Sequence, residues 1–242
     1  MSKVRLDQVM VARGLVPTRS QAESWVRMGK VFVRGQAATK PGMFVAEDAE
    51  IELKADGQYV SRAGHKLASV AQVLRLSFAD KAVLDVGSST GGFTDYALQH
   101  GARKVIAVDV GTDQLHPSLH GNPKIELHEQ TDIRSMETLS ETPDIVVIDV
   151  SFISLREILP HVARLSGKHT KIAAMLKPQF EAGHNAKHKG VIKNDAMRRA
   201  ILKDFEAWSR PLFIILDKAD SEVAGTKGNR ERFYLLQKLP KG

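Results

Sequence analysis

The chain has 242 residues, 43% of them hydrophobic, and carries 35 Lys and Arg against 28 Asp and Glu for a formal net charge of +7. That length holds one large domain and a small one, and the lack of cysteine excludes disulfides, cysteine nucleophiles and thiolate-held metals. No run approaches the ~18 apolar residues of a membrane-spanning helix, residues 1–7 lack the apolar core of a signal peptide, and the basic balance favours a polyanionic partner, so a cytoplasmic protein is expected.

Residues 1–57 read as a small α+β module. Leu6, Val9 and Met10 repeat at helical spacing and Gly14 stops that helix. Thr18-Arg19-Ser20-Gln21 fits a capping box, with Thr18 as the cap and Gln21 reaching back. Ala22, Trp25 and Val26 stripe the second helix, which ends at Gly29. Residues 30–33 form a strand, Arg34-Gly35 a turn, and residues 49–53 a strand that turns Ala49, Ile51 and Leu53 inward. Lys3, Arg5, Arg13, Arg19, Arg27, Lys30, Arg34 and Lys40 face only Asp7 and Glu23 as far as Ala46. Such a face suits RNA phosphates, or is a plain solvated surface. Arg5-Leu6-Asp7, Arg13-Gly14-Leu15, Thr18-Arg19-Ser20-Gln21-Ala22 and the run from Gly29 to Gly35 resemble the S4 RNA-binding domain. The resemblance implies that these eight basic residues contact RNA. Thr18 replaces the usual serine, and Arg34 replaces the usual asparagine at a turn that favours positive φ.

Residues 54–59 are a short polar linker, and residues 58–242 form the second domain. Ser61 caps a helix whose Leu67, Val70, Val73 and Leu74 face a sheet, with Lys66 oddly placed near the positive end of its dipole. Residues 82–94 then read as a buried strand, a glycine turn and a helix start. Gly87, Gly91 and Gly92 allow a close backbone approach to a ligand. The pattern is neither a dinucleotide fingerprint nor a P-loop. Asp85 suits a positively charged ligand group, Asp109 at the next strand end suits ribose hydroxyls, and Thr131-Asp132-Ile133 could hold an adenine. In this order they describe a pocket for S-adenosylmethionine (SAM), at the strand ends where open α/β sheets bind ligands. Apolar strands at 144–149 and 172–176 end in Asp149 and Lys177, and the strand–helix alternation predicts a doubly wound parallel sheet. Lys177 is either a salt-bridge partner for Asp149 or part of the chemistry. The basic loop 183–190 covers RNA or is mobile, and its His184 and His188 lack partners for a metal site. Asn194 caps a long helix, residues 212–216 form a strand, a turn follows at 225–229, and the last strand is entered from Glu231.

Asp85-Val-Gly-x-x-Thr-Gly-Gly-Phe, Asp149-Val-Ser-Phe-Ile-Ser-Leu, Leu176-Lys-Pro-Gln-Phe-Glu and Gly228-Asn229 followed by Glu231 resemble the TlyA family, whose members are named haemolysins or ribosomal RNA methyltransferases. The second domain is also similar to FtsJ-type ribose methyltransferases. The resemblance implies a Rossmann-like SAM-dependent methyltransferase that modifies a cytidine 2′-hydroxyl in ribosomal RNA. It carries the family's catalytic tetrad onto Lys66, Asp149, Lys177 and Glu231. Lys177 is expected at the reacting oxygen, with Lys66 acting on it by like-charge repulsion and the two carboxylates orienting the lysines. Asp85, Gly87, Ser88, Gly91, Gly92, Phe93, Asp109, Asp132 and Ile133 are the implied SAM contacts, and no metal is required. Ribosomal subunits are the expected partners. Two other readings stand at this point, a membrane-acting haemolysin and a non-enzymatic ribosome-assembly factor.

Overall fold

The computed structural model describes residues 3–16, 18–27, 29–53, 59–182, 190–192, 194–225 and 228–240. The linker residues 54–58, with the domain boundary expected at 57, lie outside the described residues, as do residues 183–189 of the basic loop and Thr226-Lys227 of the later turn. The chain divides into two compact units, Met1–Arg62 and Ala63–Gly242.

The N-terminal unit runs β1 (Lys3–Arg5), α1 (Leu6–Ala12), α2 (Arg19–Arg27), β2 (Val31–Val33), β3 (Gln36–Ala37), β4 (Phe44–Ala46) and β5 (Ile51–Leu53). β1 pairs antiparallel with β4, and a second small sheet has the order β3-β2-β5. Leu6, Met10, Ala22, Trp25 and Val31 are buried together between helices and strands, which satisfies the helical spacing read from the sequence. Half of the expected capping box forms: the Gln21 N–H donates to Thr18 Oγ1 at 3.3 Å. Gln21 does not reach back, because its side-chain oxygen is buried without a hydrogen bond among the described residues. The β2–β3 hairpin turns through Arg34 and Gly35 at φ 49° and 77°. Two successive positive φ values are the mark of a type I′ turn, so the arginine accepts a conformation that its side chain disfavours.

The second unit continues with α3 (Arg62–Ala71), β6 (Ala82–Val86), α4 (Gly92–Gln99), β7 (Lys104–Val108), β8 (Ile125–His128), β9 (Ile145–Ile148) and α5 (Leu155–Leu165). β10 (Lys171–Leu176), α6 (Pro178–Glu181), α7 (Asp195–Ser209), β11 (Phe213–Asp220) and β12 (Arg232–Lys238) complete it. The seven strands form one sheet in the order β11-β12-β10-β9-β6-β7-β8. The run from β10 to β8 is parallel throughout. β12 lies antiparallel between β10 and β11, so the sheet is doubly wound and mostly parallel with an antiparallel hairpin at one side. β6 starts in the middle. The chain winds outward through β7 and β8, then returns to lay β9 on the other side of β6. That reversal opens a crevice beyond the carboxyl ends of β6 and β9.

The central strands are buried on both faces, as a parallel sheet under helices requires. Ile158, Leu159 and Val162 of α5 and Leu202 and Phe205 of α7 cover one face. Two local expectations for α3 change. Val73 is 58% exposed because the helix ends at Ala71, and the buried Ser61 hydroxyl makes no hydrogen bond among the described residues, so it does not cap the helix.

Candidate active site

β6 delivers Asp85 to the crevice, and the turn after it creates space. Gly87 has φ +80°, and a Cβ there would meet the Asp149 carbonyl oxygen at 2.7 Å. Only glycine lets β6 and β9 approach so closely at their ends. Asp85 is fully buried and its Oδ2 accepts from the Thr94 hydroxyl at 2.7 Å, while Oδ1 has no hydrogen-bond partner among the described residues. Burial pushes its carboxyl up to about 7, against the Thr94 hydrogen bond and with help from the negative charges of Asp149 and Asp109. The Ser88 hydroxyl is also buried without a hydrogen-bond partner among the described residues. Unpaired buried oxygens are costly, and two of them around a glycine cradle fit the charged amino-acid end of SAM. Gly91, at φ +85°, turns its open side to the Leu115 and Leu119 methyls, and Phe93 is buried with its ring centroid 6.0 Å from that of Phe233. Gly92 is buried in the first turn of α4. None of these three, nor Asp85 or Ser88, lines the adjoining cavity.

That cavity has a volume of ≈ 450 Å³ and is lined by Gly87, Asp109, Asp132, Ile133 and Asp149 among others. Asp109 accepts at both carboxylate oxygens, from the Ser89 N–H at 2.8 Å and the Gly111 N–H at 2.7 Å. Asp132 is held by Arg134, whose Nε and Nη2 contact its carboxylate at 3.0 and 2.7 Å and lower its pKa. Sequence reasoning missed Ser89, Val110, Gln114, Val150, Ser151 and Phe152, which also line the cavity. Gly111 was the available sign of Gln114, since a Cβ there would lie 1.7 Å from Gln114 Nε2. Ser89 and Phe152 have φ +46° and +65°. Positive φ in non-glycine residues is uncommon, and these two stand at the cavity wall.

The four tetrad residues form two ion pairs. Lys177 Nζ lies 2.6 Å from Asp149 Oδ1, and Lys66 Nζ lies 2.6 Å from Glu231 Oε2. All four side chains are no more than 15% exposed. Lys177 also donates to Ser151 Oγ at 2.7 Å and lies 5.9 Å from the Phe180 ring centre. Burial raises the Asp149 carboxyl, but the Lys177 and Lys66 charges outweigh it and hold Asp149 below its ordinary value. Gly225 makes room for Glu231: a Cβ there would lie 2.6 Å from Glu231 Oε1. Glu181 fixes the segment after Asp149 to the segment after Lys177. Its carboxylate accepts from the Ser154 hydroxyl and the Leu155 N–H, both at 2.7 Å, and so supports the start of α5, which Ser154 itself caps by accepting from the Arg156 N–H at 3.1 Å. The Phe152 and Phe180 rings, 5.2 Å apart, pack the same two segments together.

In the N-terminal unit, Asp7 is fully buried and takes Arg5 at 2.8 Å and Arg19 at 3.0 Å. The Arg5 hydrogen bond leads, and with Arg19 it outweighs burial to hold the Asp7 carboxyl at about 2. Arg13 donates to the backbone carbonyls of Ala49 and Glu47, and Arg27 pairs with Glu23 at 3.1 Å. Lys3, Arg34 and Lys40 are exposed and Lys30 is partly so. Four of the eight basic residues therefore also serve the fold.

An FtsJ-like methyltransferase domain matches residues 59–238 and an S4 domain matches residues 4–51. The 16S/23S rRNA (cytidine-2′-O)-methyltransferase TlyA of Mycobacterium tuberculosis is 36% identical over 202 residues, 82% of this chain and 75% of its own. The 23S rRNA (cytidine-2′-O)-methyltransferase TlyA of Campylobacter jejuni is 43% identical over 182 residues, 73% of this chain and 70% of its own. A solved structure from Streptococcus thermophilus that carries a hemolysin name superposes with a TM-score of 0.78 at 37% identity, over 100% of this chain and 90% of that one. Among the described residues no helix is long and apolar enough to cross a membrane. With a family match over most of its length and relatives of this identity, the chain belongs to the TlyA family of FtsJ-like methyltransferases that carry an S4 domain.

Proposed function

We propose that this chain transfers a methyl group from SAM to the 2′-hydroxyl of a cytidine in ribosomal RNA. Residues 1–57 grip the RNA and residues 58–242 carry the chemistry. The observation that carries this reading is the Lys177–Asp149 ion pair at 2.6 Å, with Asp149 on the wall of the cavity. The cytidine ribose is the acceptor named for the two TlyA relatives, and the protein works where ribosomal subunits are found.

When bound, SAM supplies a methyl group made electrophilic by its sulfonium. Asp109, Asp132 and Ile133 would hold its nucleoside part, and Gly87, Ser88 and Asp85 its amino-acid part. A ribose hydroxyl is a very weak acid, so the protein must take its proton or stabilise the oxyanion as it forms. Lys177 does this work. Asp149 and Ser151 hold its Nζ from two sides. Lys66 adds positive charge next to Asp149, and Glu231 holds Lys66 in place. The nearly dry setting strengthens each of these interactions.

The test is single-turnover methyl transfer to ribosomal subunits, with SAM affinity measured by calorimetry and the methylated ribose mapped. Lys177→Ala is expected to lower the rate by at least about a hundredfold while SAM still binds, since its work is in the transition state. Lys177→Arg is expected to fail as well, because arginine does not deprotonate and its planar fork has another shape. A Lys177→Ala protein with the wild-type rate would overturn the mechanism. Methyl transfer to a base rather than to a 2′-oxygen would overturn the substrate reading.

A further inference from the structure

We propose that Phe44 is a stacking platform for an unpaired RNA base, seated between cations that take the flanking phosphates. This rests on the reading that the N-terminal unit grips RNA. Phe44 is 65% exposed, and among the described residues of the N-terminal unit it is the sole exposed large apolar side chain. An apolar protein partner would call for a patch of such residues. One isolated aromatic face fits one planar group.

The register supplies the charges. Phe44 pairs directly with Arg5 and Ala46 pairs with Lys3 across the β1–β4 ladder. Directly opposed residues share a face of a sheet, as do residues two apart on one strand. Lys3, Arg5 and Phe44 therefore stand on one face, while Val45, on the other, is buried. The Arg5 guanidinium is fixed before any ligand arrives. Asp7 holds it through Nε at 3.0 Å and Nη2 at 2.8 Å, and a Cβ on Gly42 would lie 3.0 Å from Nη2. Gly42 thus leaves room for the guanidinium two residues before the ring. Lys40 is exposed in the segment that leads into β4. Asp7, which pairs with Arg5, is fully buried beneath it, and the exposed acids that follow, Glu47 and Asp48, come only after the strand has ended. An aromatic face flanked by fixed and mobile cations is how proteins hold unpaired nucleotides, with the ring taking the base and the cations its phosphates.

The experiment measures binding of the full chain to two fluorescent probes, a hairpin RNA with an unpaired loop and a fully paired duplex of equal length, across a salt titration. Phe44→Ala is expected to weaken hairpin binding by about 5- to 100-fold, with duplex binding unchanged and the slope of log affinity against log salt unchanged. The slope counts phosphates, and Phe44 touches none. Phe44→Trp is expected to keep the affinity. Phe44→Leu is expected to lose it, since it keeps apolar area without a flat face. Equal hairpin affinity for Phe44→Ala and wild type overturns the proposal and leaves the RNA reading standing. A wild-type chain that binds neither probe overturns both. An equal loss on hairpin and duplex, or full affinity in Phe44→Leu, assigns Phe44 to packing and also overturns it. The variants' melting temperatures are expected to match wild type, because the ring is mostly in solvent.

Discussion

Replacing Asp85 by asparagine separates what this carboxyl costs the fold from what it offers a ligand. Asp85 is fully buried and its carboxyl is raised to about 7 from an ordinary 3.8. A raised acid holds its proton in the folded state over a pH range where the unfolded chain has lost it. Below pH 4 both states are protonated and there is no penalty. Between pH 4 and 7 the folded state binds more protons, so stability falls as pH rises. Above pH 7 the full penalty is present. The gap from 3.8 to about 7 corresponds to about 4 kcal/mol at 1.36 kcal/mol per pH unit. Asparagine keeps an acceptor for the Thr94 hydroxyl and carries no charge. Asp85→Asn is therefore expected to match wild type near pH 4 and to exceed its stability by up to about 4 kcal/mol at pH 8. SAM affinity is expected to fall in the same variant, because the unpaired Oδ1 no longer offers a negative charge to a cation. The assay is urea denaturation of both proteins at intervals from pH 4 to 8, with calorimetry of SAM binding at pH 8. A stability difference that does not change with pH would show that Asp85 does not titrate here, and would remove the argument.

Gly91→Val is expected to destabilise the fold by about 2 kcal/mol or more, through positive φ and the displaced Leu115 and Leu119 methyls. Thermal melts check this, and a variant with wild-type stability and lost SAM binding would instead place Gly91 at the ligand. Glu181→Ala, which leaves the Leu155 N–H and the Ser154 hydroxyl without their acceptor and frees the segment carrying Ser151 and Phe152, is expected to cost about 1–3 kcal/mol and to lower the methyl-transfer rate, with Glu181→Gln intermediate. An unchanged melt and rate in Glu181→Ala would deny Glu181 that role. Asp7, with its carboxyl depressed to about 2, supports stability that is present above pH 4 and lost as pH falls toward 2. Acid titration of Asp7→Asn is expected to lack that loss, which is at most about 2 kcal/mol because exposed Arg5 and Arg19 are screened by solvent; an identical acid limb in both proteins would rule out the contribution.

Much of the second unit was legible because its signals are local. A buried parallel strand is a short apolar run, a sharp turn needs glycine, and an acid at a strand end needs no distant partner to be noticed. Asp85, Gly87, Asp109, Asp132 and Asp149 all announce themselves in this way. The glycine turn shows the limit of such reading. Gly87 and Gly91 look alike in sequence, yet one makes room for the Asp149 backbone and the other for the Leu115 and Leu119 side chains. The atoms that distinguish them come from other parts of the chain.

The sequence by itself determined the longer helices, the central parallel strands, most of the sharp turns and which charges end up at strand ends, but not β1, β3, β4 or α6, which are too short to show a period. The legible features follow from side-chain period, glycine freedom and helix caps, each of which acts over a few residues. Only the tertiary structure decided that Lys66 meets Glu231, 165 positions away. That contact depends on β12 inserting between β10 and β11 rather than adding at the edge. It likewise decided that Asp109 accepts from two backbone N–H groups, that Gln21 does not complete its capping box, and that Ser151 and Phe152 stand at the cavity wall. A pairing between distant side chains is set by strand order and packing, and no local period carries that information.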